Sequence, residues 1–319
     1  MYKVRDFKSN NIILGMNGLK KSLYQDIITD FSNTYDKQIF LIDVFGRYKN
    51  LLKDIEFVNY YLDSIKVSIN PFDLKISEFD DYMLFRKIDF LFIFFENILN
   101  RELTKWEKRI LDKEIIEFYN PYIKYLKEND LTIDRKKCPI LEDFLEKIKF
   151  NEDLYDLKVA LKIFTTGKLS YLFNNKTNIL DDFIINFDIS KLDKSLQELV
   201  YLNCLEYIYQ KSGENLDDGY KTFIFIEENY FLFQQFVFEY FKYFLVDTRN
   251  MGGTIFLNYS FVENLVTSKE GIEILSLSNR FFLFKMNILE ASLLKKEKFI
   301  DDVTFNKLQE LKKGEKIVL

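Results

Sequence analysis

Short apolar runs that alternate with segments of helical periodicity are the feature of this sequence that most constrains its fold. Near the start of the chain the runs are 12–14, 39–42 and 67–69, and each is closed by glycine, aspartate or proline. Runs that are apolar at consecutive positions are typical of strands covered on both faces. The pattern predicts an α/β fold in which helices cover a mostly parallel central sheet.

The middle of the chain has a different pattern, because strand signals are absent between residues 76 and 165. Thr104 and Glu107 fit a capping box at the start of one predicted helix. The predicted helices of this region are 76–100, 104–119, 141–150 and 154–164. Strand signals return at 183–187, 222–226, 254–257, 281–284 and 316–319, with predicted helices over 192–210 and 230–246. We therefore predict an α/β lobe of residues 1–75 and 166–319, interrupted by an all-helical lobe of residues 76–165.

The composition excludes several classes of chemistry. The 319 residues include no histidine, which rules out histidine general bases, Ser-His-Asp and Cys-His nucleophile systems, and zinc sites that contain histidine. Cys138 and Cys204 are too few for a disulfide scaffold or a cysteine metal site, and they predict a reducing, cytosolic setting. The net charge of −5 argues against a strongly basic domain that coats nucleic acid. We expect neither a signal peptide nor a transmembrane helix, because no apolar run approaches the ~20 residues that a bilayer requires.

The segment GMNGLKKS follows the first apolar run and precedes a predicted helix. It is close to the phosphate-binding pattern G-x-x-x-x-G-K-[ST], in which backbone N–H groups surround a polyphosphate, the lysine reaches the β- and γ-phosphates and the hydroxyl reaches Mg²⁺. The lysine and the hydroxyl are present, but Lys20 stands where glycine is expected. The alternative is a strand-to-helix turn that matches the pattern by chance. The predicted nucleotide-binding residues are Gly15, Asn17, Gly18, Lys20, Lys21 and Ser22.

A later apolar run, 222–226, ends in two acids, Glu227 and Glu228. An apolar strand that ends in two acids is typical of a Walker B element, in which the first acid holds Mg²⁺ and the second polarises the attacking water. Aspartate is usual at the first position, and Glu227 is one methylene longer, whereas Mg²⁺ demands near-ideal octahedral geometry. The alternative is a buried strand that runs into the acidic, solvated start of a helix.

A third candidate element begins near Arg249, where two glycines precede the predicted strand 254–257. Asn258, at the end of this strand, is a candidate sensor of a γ-phosphate. Arg249 or Arg280 is a candidate arginine finger that would act on the nucleotide of a neighbouring subunit. For either arginine the alternative is an ordinary surface residue, which we prefer unless the protein forms a ring.

Further short motifs follow the glycine-rich loop along nearly the whole chain. They are IDVFGRY (42–48), INPFD (69–73), LT (103–104), CPILEDF (138–144), GKLSYLFN (167–174), TN (177–178), FD (187–188) and the acidic pair. Their order and spacing resemble the ATPase domain of the TraC/TrsE (VirB-four) family of conjugative type IV secretion ATPases, which belong to the HerA/FtsK-like branch of P-loop NTPases.

The resemblance implies a RecA-like P-loop NTPase fold with a mostly parallel central sheet and an all-helical inserted lobe. It also implies ATP and Mg²⁺ as cofactors, inner-membrane components of the secretion machine as partners, a homohexamer, and a cytoplasmic place at the inner face of the membrane. With the site residues above, Ser22 and Glu227 would hold Mg²⁺, and Glu228, Arg249 and Asn258 would take part in hydrolysis. DNA contact is not indicated by the charge.

Four residues depart from the family pattern: Lys20 replaces a glycine, Glu227 an aspartate, Asn258 a glutamine and Arg47 a glutamate. The alternative to an ATPase is therefore a catalytically weak or inactive paralogue with a structural role in the machine. A DNA translocase is a third possibility, against which the overall acidity counts. The family's N-terminal domain does not precede this sequence, so we expect a fragment or a stand-alone paralogue.

Overall fold

Eight strands form one sheet in the computed structural model, which describes residues 10–15, 25, 28–29, 36–76, 82–227, 232, 234–259, 262–312 and 315–319. The strands are β1 (Asn10–Leu14), β2 (Lys37–Asp43), β3 (Val58–Tyr61), β4 (Ile184–Asp188), β5 (Lys221–Glu227), β6 (Thr254–Tyr259), β7 (Arg280–Phe284) and β8 (Lys316–Val318). Their order across the sheet is β3-β4-β2-β5-β6-β1-β7-β8.

Most of the neighbouring strands run parallel. The stretch from β4 to β7 is parallel throughout, and β8 pairs antiparallel with β7 at one edge. Every residue of β1, β2, β4 and β6 is buried, as expected for strands that are covered on both faces. The predicted α/β fold with a mostly parallel sheet is therefore confirmed.

The helices account for the remaining periodic segments. They are α1 (Tyr48–Leu51), α2 (Tyr82–Leu99), α3 (Lys105–Glu128), α4 (Leu141–Lys147), α5 (Tyr155–Thr165), α6 (Ser170–Phe173), α7 (Lys194–Asp217), α8 (Gln235–Asn250), α9 (Val262–Thr267), α10 (Lys269–Ser276), α11 (Ile288–Lys296) and α12 (Asp302–Glu310). A 3-10 turn, Glu152–Leu154, precedes α5. In the described part of the chain, no helix is both long enough and apolar enough to cross a bilayer.

Helix α3 shows why local signals set its start better than its end. The predicted capping box is confirmed: the Glu107 N–H donates to Thr104 Oγ1 at 3.1 Å, and the Thr104 N–H donates to Glu107 Oε2 at 2.7 Å. The helix then continues through Pro121, beyond its predicted end at 119, because Tyr122 and Leu126 continue the row of buried side chains. This burial outweighs the ~3 kcal/mol that a proline costs inside a helix.

The predicted strand at 67–69 is wrong. This segment has no regular secondary structure, and backbone groups at Ser68 and Asn70 bond to a loop instead of a neighbouring strand. The Ser68 N–H donates to Asn178 Oδ1 at 3.0 Å, the Asn178 N–H donates to the Ser68 carbonyl at 3.2 Å, and the Asn70 N–H donates to Thr177 Oγ1 at 2.7 Å. The strand that precedes the helical region is β3, and the sequence analysis had not predicted it.

The chain divides into two compact units. One comprises Met1–Asn59, Asp182–Asp188 and Asn215–Leu319, and it contains most of the sheet. The other comprises Tyr60–Asp181 and Ile189–Glu214, and every helix from α2 to α6 lies in it. The predicted limits of the two lobes, 1–75 with 166–319 and 76–165, stay a prediction about domain organisation.

Candidate functional site

Polar side chains end four neighbouring strands of the sheet. The register aligns Asp43 of β2 with Asp188 of β4, and Glu227 of β5 with Asn258 of β6. Asn258 is aligned on its other side with Ile13 of β1, two residues before Gly15. Because the carboxyl ends of parallel strands meet at one edge of a sheet, these groups share that edge. We call it the carboxyl edge.

The carboxyl edge also contains a reversal in chain direction. From β1 the chain leads to β2 on one side, whereas from β6 it leads to β7 on the other side. Crossover connections between parallel strands are right-handed, so two connections that lead in opposite directions lie on opposite faces of the sheet. A crevice then forms between the two adjacent strands from which they start. Ligands of open α/β sheets bind in such a crevice. By this rule the strand order predicts a ligand site between β1 and β6, beside Gly15 and Asn258.

Gly15 is the predicted loop residue that the structure describes. Its φ is +133°, and an added Cβ would lie 2.8 Å from the Cβ of Phe284, 3.1 Å from the Phe284 carbonyl oxygen and 3.2 Å from the Lys285 carbonyl oxygen. A side chain would therefore collide with the backbone at the end of β7 as well as strain its own backbone. The position requires glycine for packing, whatever the loop binds.

The other predicted members of this loop, Asn17, Gly18, Lys20, Lys21 and Ser22, lie outside the described residues, as does the predicted water-polarising acid, Glu228. Their roles stay predictions.

Glu227, the last residue of β5, is aligned with Asn258, the last residue but one of β6, and their roles as Walker B acid and sensor stay predictions. Glu227 is half-buried, and Asn258 is buried. The Oδ1 atom of Asn258 is enclosed and accepts no hydrogen bond from any other described residue. A buried carbonyl oxygen without a donor is costly, which makes it available to a ligand that supplies a donor or a cation.

Asp43 organises the turn that follows β2. Its Oδ1 accepts the N–H groups of Phe45 at 3.1 Å and Arg47 at 3.0 Å, and its Oδ2 accepts that of Tyr48 at 2.8 Å. Gly46 completes the turn with a φ of +70°. The motif D-x-x-G-x-Y is thus a local cap for α1, and Arg47 stacks on the Phe45 ring, 4.5 Å from its centre.

Asp43 and Asp188 also belong to the carboxyl edge, although the motifs that contain them do not by themselves mark them as candidate site residues. Burial raises the pKa of the Asp43 carboxyl, its three backbone hydrogen bonds oppose the increase, and the neighbouring charge of Asp188 adds to it. The signal that could have identified them is that each ends an apolar run, as Glu227 does. Three acids on three neighbouring strands therefore make this part of the edge negative.

The two candidate arginine fingers lie elsewhere. Arg249 is in the last turn of α8, which leads through Gly252 to the start of β6, and Arg280 begins β7. Both belong to the amino edge of the sheet, about 17 Å from the carboxyl edge along a six-residue strand. Neither meets the site of its own chain, and their action on a neighbouring subunit stays a prediction.

We expect Gly15→Ala to destabilise the protein more than Gly219→Ala does. Both glycines have a positive φ, but a Cβ at Gly219 would meet no atom within 4 Å. Backbone strain alone costs about 1–2 kcal/mol, and overpacking against β7 adds about 1–3 kcal/mol at Gly15. Chemical denaturation of the two variants measures the difference. Equal losses would show that Gly15 is not packed against β7.

We expect Asp188→Asn to lower the pKa of Asp43, since it removes a neighbouring charge while the burial remains. A raised pKa means that the folded chain holds this proton more tightly than the unfolded chain. Ionisation of Asp43 therefore decreases the free energy of unfolding as the pH rises through its folded pKa, and the variant reduces that decrease. Carboxyl ¹³C NMR titration measures the shift.

Asp182→Asn, at the amino end of β4, is the control for this titration and should leave the pKa of Asp43 unchanged. An unchanged pKa in Asp188→Asn would contradict the coupling.

Comparison with solved structures identifies the architecture. VirB4 of Thermoanaerobacter pseudethanolicus superposes with a TM-score of 0.76 over 97% of this chain and 86% of that chain, at 19% sequence identity. The bacterial conjugative coupling protein TrwB, solved with the ATP analogue ADPNP and with ADP and Mg²⁺, gives a TM-score of 0.45 at 11% identity. No family model and no curated protein matches the sequence.

The similarity to VirB4 covers almost the whole chain, including both the sheet and the helical insertion. The chain therefore has a RecA-like fold, which it shares with VirB4.

Proposed function

We propose that this chain is a nucleotide-dependent motor domain that binds ATP with Mg²⁺ at the carboxyl edge and drives type IV secretion or conjugative transfer. The observation that carries the proposal is the register that aligns Glu227 with Asn258, next to the strand that ends at Gly15. This alignment supports the proposal, because the Walker B candidate and the sensor candidate lie on strands close to the one that leads into the proposed phosphate-binding loop. The motif order of the TraC/TrsE family supplies the biological setting.

The donor set at the edge fits a magnesium nucleotide. Carboxylate and amide oxygens are ligands that Mg²⁺ accepts, and it usually uses one or two carboxylates together with phosphate oxygens and water. Glu227 and Ser22 would hold the ion, which when bound neutralises the charge that develops on the transferred phosphoryl group. The enclosed Oδ1 of Asn258 is a further oxygen at the same place.

The roles proposed for Lys21 and Glu228 follow from the strand that each residue comes after in the chain. Lys21 follows β1 in the loop and would bind the phosphates, and Glu228 follows β5 directly and would orient the attacking water. Because β5 and β1 are separated only by β6, groups at their ends can reach a common ligand. Binding at a subunit interface would then shift the equilibrium between open and closed assemblies.

A catalytically weak or inactive relative is the second candidate, and specific residues favour it. Lys20 places a side chain where a phosphate-binding loop normally has glycine, and Glu227 is longer than the usual aspartate. A chain of this kind would keep the fold and serve as a structural component of the machine. It would regain hydrolysis when both residues are returned to the common pattern, Lys20→Gly with Glu227→Asp.

The partners and the location follow from the same family resemblance. We propose a homohexamer in the assembled state, contact with inner-membrane components of the secretion system, and a cytoplasmic place at the inner face of the membrane. Direct DNA binding is less favoured, since the net charge is −5 and DNA affinity depends on cationic contacts with phosphates.

We expect Lys21→Ala to weaken Mg-ATP binding by at least about tenfold, which corresponds to ~1.4 kcal/mol. Glu228→Gln should keep the binding and lose the turnover, since it retains the shape but not the charge that orients water. Calorimetric titration and a phosphate-release assay on the two variants separate binding from hydrolysis.

The control is Lys307→Ala on α12, an exposed lysine to which the proposal gives no role, and it should change neither quantity. Wild-type protein that binds no ATP at millimolar concentration would rule out the motor. Binding without turnover, restored in the Lys20→Gly, Glu227→Asp variant, would favour the structural paralogue instead.

A further inference from the structure

We propose that the segment following β7, Lys285–Leu289, forms the second wall of the same nucleotide site. Lys285 binds the phosphate chain, and the side chains of Ile288 and Leu289 pack against the nucleobase. The inference rests on the proposed function, because it assumes that a nucleotide occupies the carboxyl edge.

The segment begins in contact with the loop that is proposed to hold the phosphates. The carbonyl oxygen of Lys285 lies 3.2 Å from where a Cβ of Gly15 would be, and Phe284 is nearer still. In the register, Leu14 is aligned with Leu283, so Gly15 lies beside Phe284 at the carboxyl edge. A ligand held by the residues after Gly15 therefore has Lys285–Leu289 as its neighbour on the β7 side.

The charge along the carboxyl edge changes sign across the site. On the β4, β2 and β5 side the strands end in Asp188, Asp43 and Glu227, whereas Lys285 directly follows β7. Lys285 is exposed, and no hydrogen bond or ion pair joins it to another described residue. Acids attract a divalent cation and repel phosphates, and a lysine does the reverse. The edge therefore favours one orientation, with the ion toward β5 and the phosphate chain toward β7.

Beyond Lys285 the segment presents apolar side chains at the surface. Ile288 is 59% exposed and Leu289 is 77% exposed, and they are the first two residues of α11. The side chain of Asn287 accepts the Glu290 N–H at 2.8 Å, which fixes the start of the helix. Ala291 and Leu294 anchor the same helix in the core. Two adjacent aliphatic side chains are thus held outward on a fixed backbone, where a flat apolar ligand would cover them.

The chemistry of the pair predicts what it recognises. Aliphatic side chains make apolar contact with a purine ring. They have no group that can form a hydrogen bond with the polar atoms at its edge. A purely apolar contact discriminates weakly between ligands of similar shape. Ile288 and Leu289 would therefore add affinity for ATP and GTP alike, while Lys285 would act on any polyphosphate.

The test compares Mg-ATP with Mg-tripolyphosphate, which carries the phosphate chain without a base. Lys285→Ala should weaken both ligands by a similar factor, about 3- to 10-fold, as expected for a charge-assisted contact. The double variant Ile288→Ser, Leu289→Ser should weaken Mg-ATP by about 3- to 10-fold and leave Mg-tripolyphosphate unchanged. Leu289→Ser alone, at the more exposed position, should show part of the same effect without a risk to folding.

The controls are Lys307→Ala and Val303→Ser on α12, since Val303 is 58% exposed, close to Ile288. Both should bind the two ligands like the wild type. If Lys285→Ala leaves Mg-tripolyphosphate binding unchanged, or if the serine variants leave Mg-ATP binding unchanged or weaken both ligands equally, the inference is overturned. In each of these cases wild-type binding of Mg-ATP persists, whereas its absence would instead refute the proposed function.

Discussion

The parallel register of the central strands is the constraint on which the rest of the structure depends. Backbone hydrogen bonds fix Glu227 opposite Asn258 and Asp43 opposite Asp188, so the polar ends of four strands coincide at one edge. A shift of one residue would turn every side chain of a strand to the other face and would move its polar end out of alignment with its neighbours. The alignment of these polar groups at the carboxyl edge is therefore a consequence of strand pairing.

The motifs that carried the family resemblance divide into two kinds in the structure. Those that end strands contribute to the carboxyl edge. The motif INPFD instead lies in the helical unit, where it forms a turn at Pro71 and Phe72 that side chains hold in place. Tyr119 Oη and Cys138 Sγ both donate to the Phe72 carbonyl, at 2.8 and 2.9 Å, and burial raises the pKa of both groups, so both keep the proton they donate.

Charged groups complete this anchoring. Asp73 pairs with Arg135 at 3.3 Å, and Arg135 also pairs with Glu214. The fully buried Lys87 donates to the Pro71 carbonyl at 3.1 Å and forms an ion pair with Glu206. Buried charges of this kind are tolerated only when they are paired. The motifs in this unit are therefore explained by packing as much as by chemistry.

The sequence was sufficient to predict the strands whose residues are buried on both faces. A short run of consecutive apolar residues that ends in a polar residue is typical of such a strand. It failed at 67–69, where Ser68 and Asn70 interrupt the apolar run and bond to Asn178 and Thr177, residues more than a hundred positions away. It missed β3, whose residues are only half-buried. Asp43 and Asp188 both occur in motifs of the sequence, but only the strand register shows that they lie side by side.

Hydrogen–deuterium exchange with and without Mg-ATP tests the central claim most directly. If the carboxyl edge is the nucleotide site, exchange slows in the peptides that follow β1, β5, β6 and β7 and is unchanged at the amino edge, around Gly252 and Arg280. Protection that falls on the amino edge or on the helical unit, with the carboxyl edge unaffected at saturating ATP, would contradict the account.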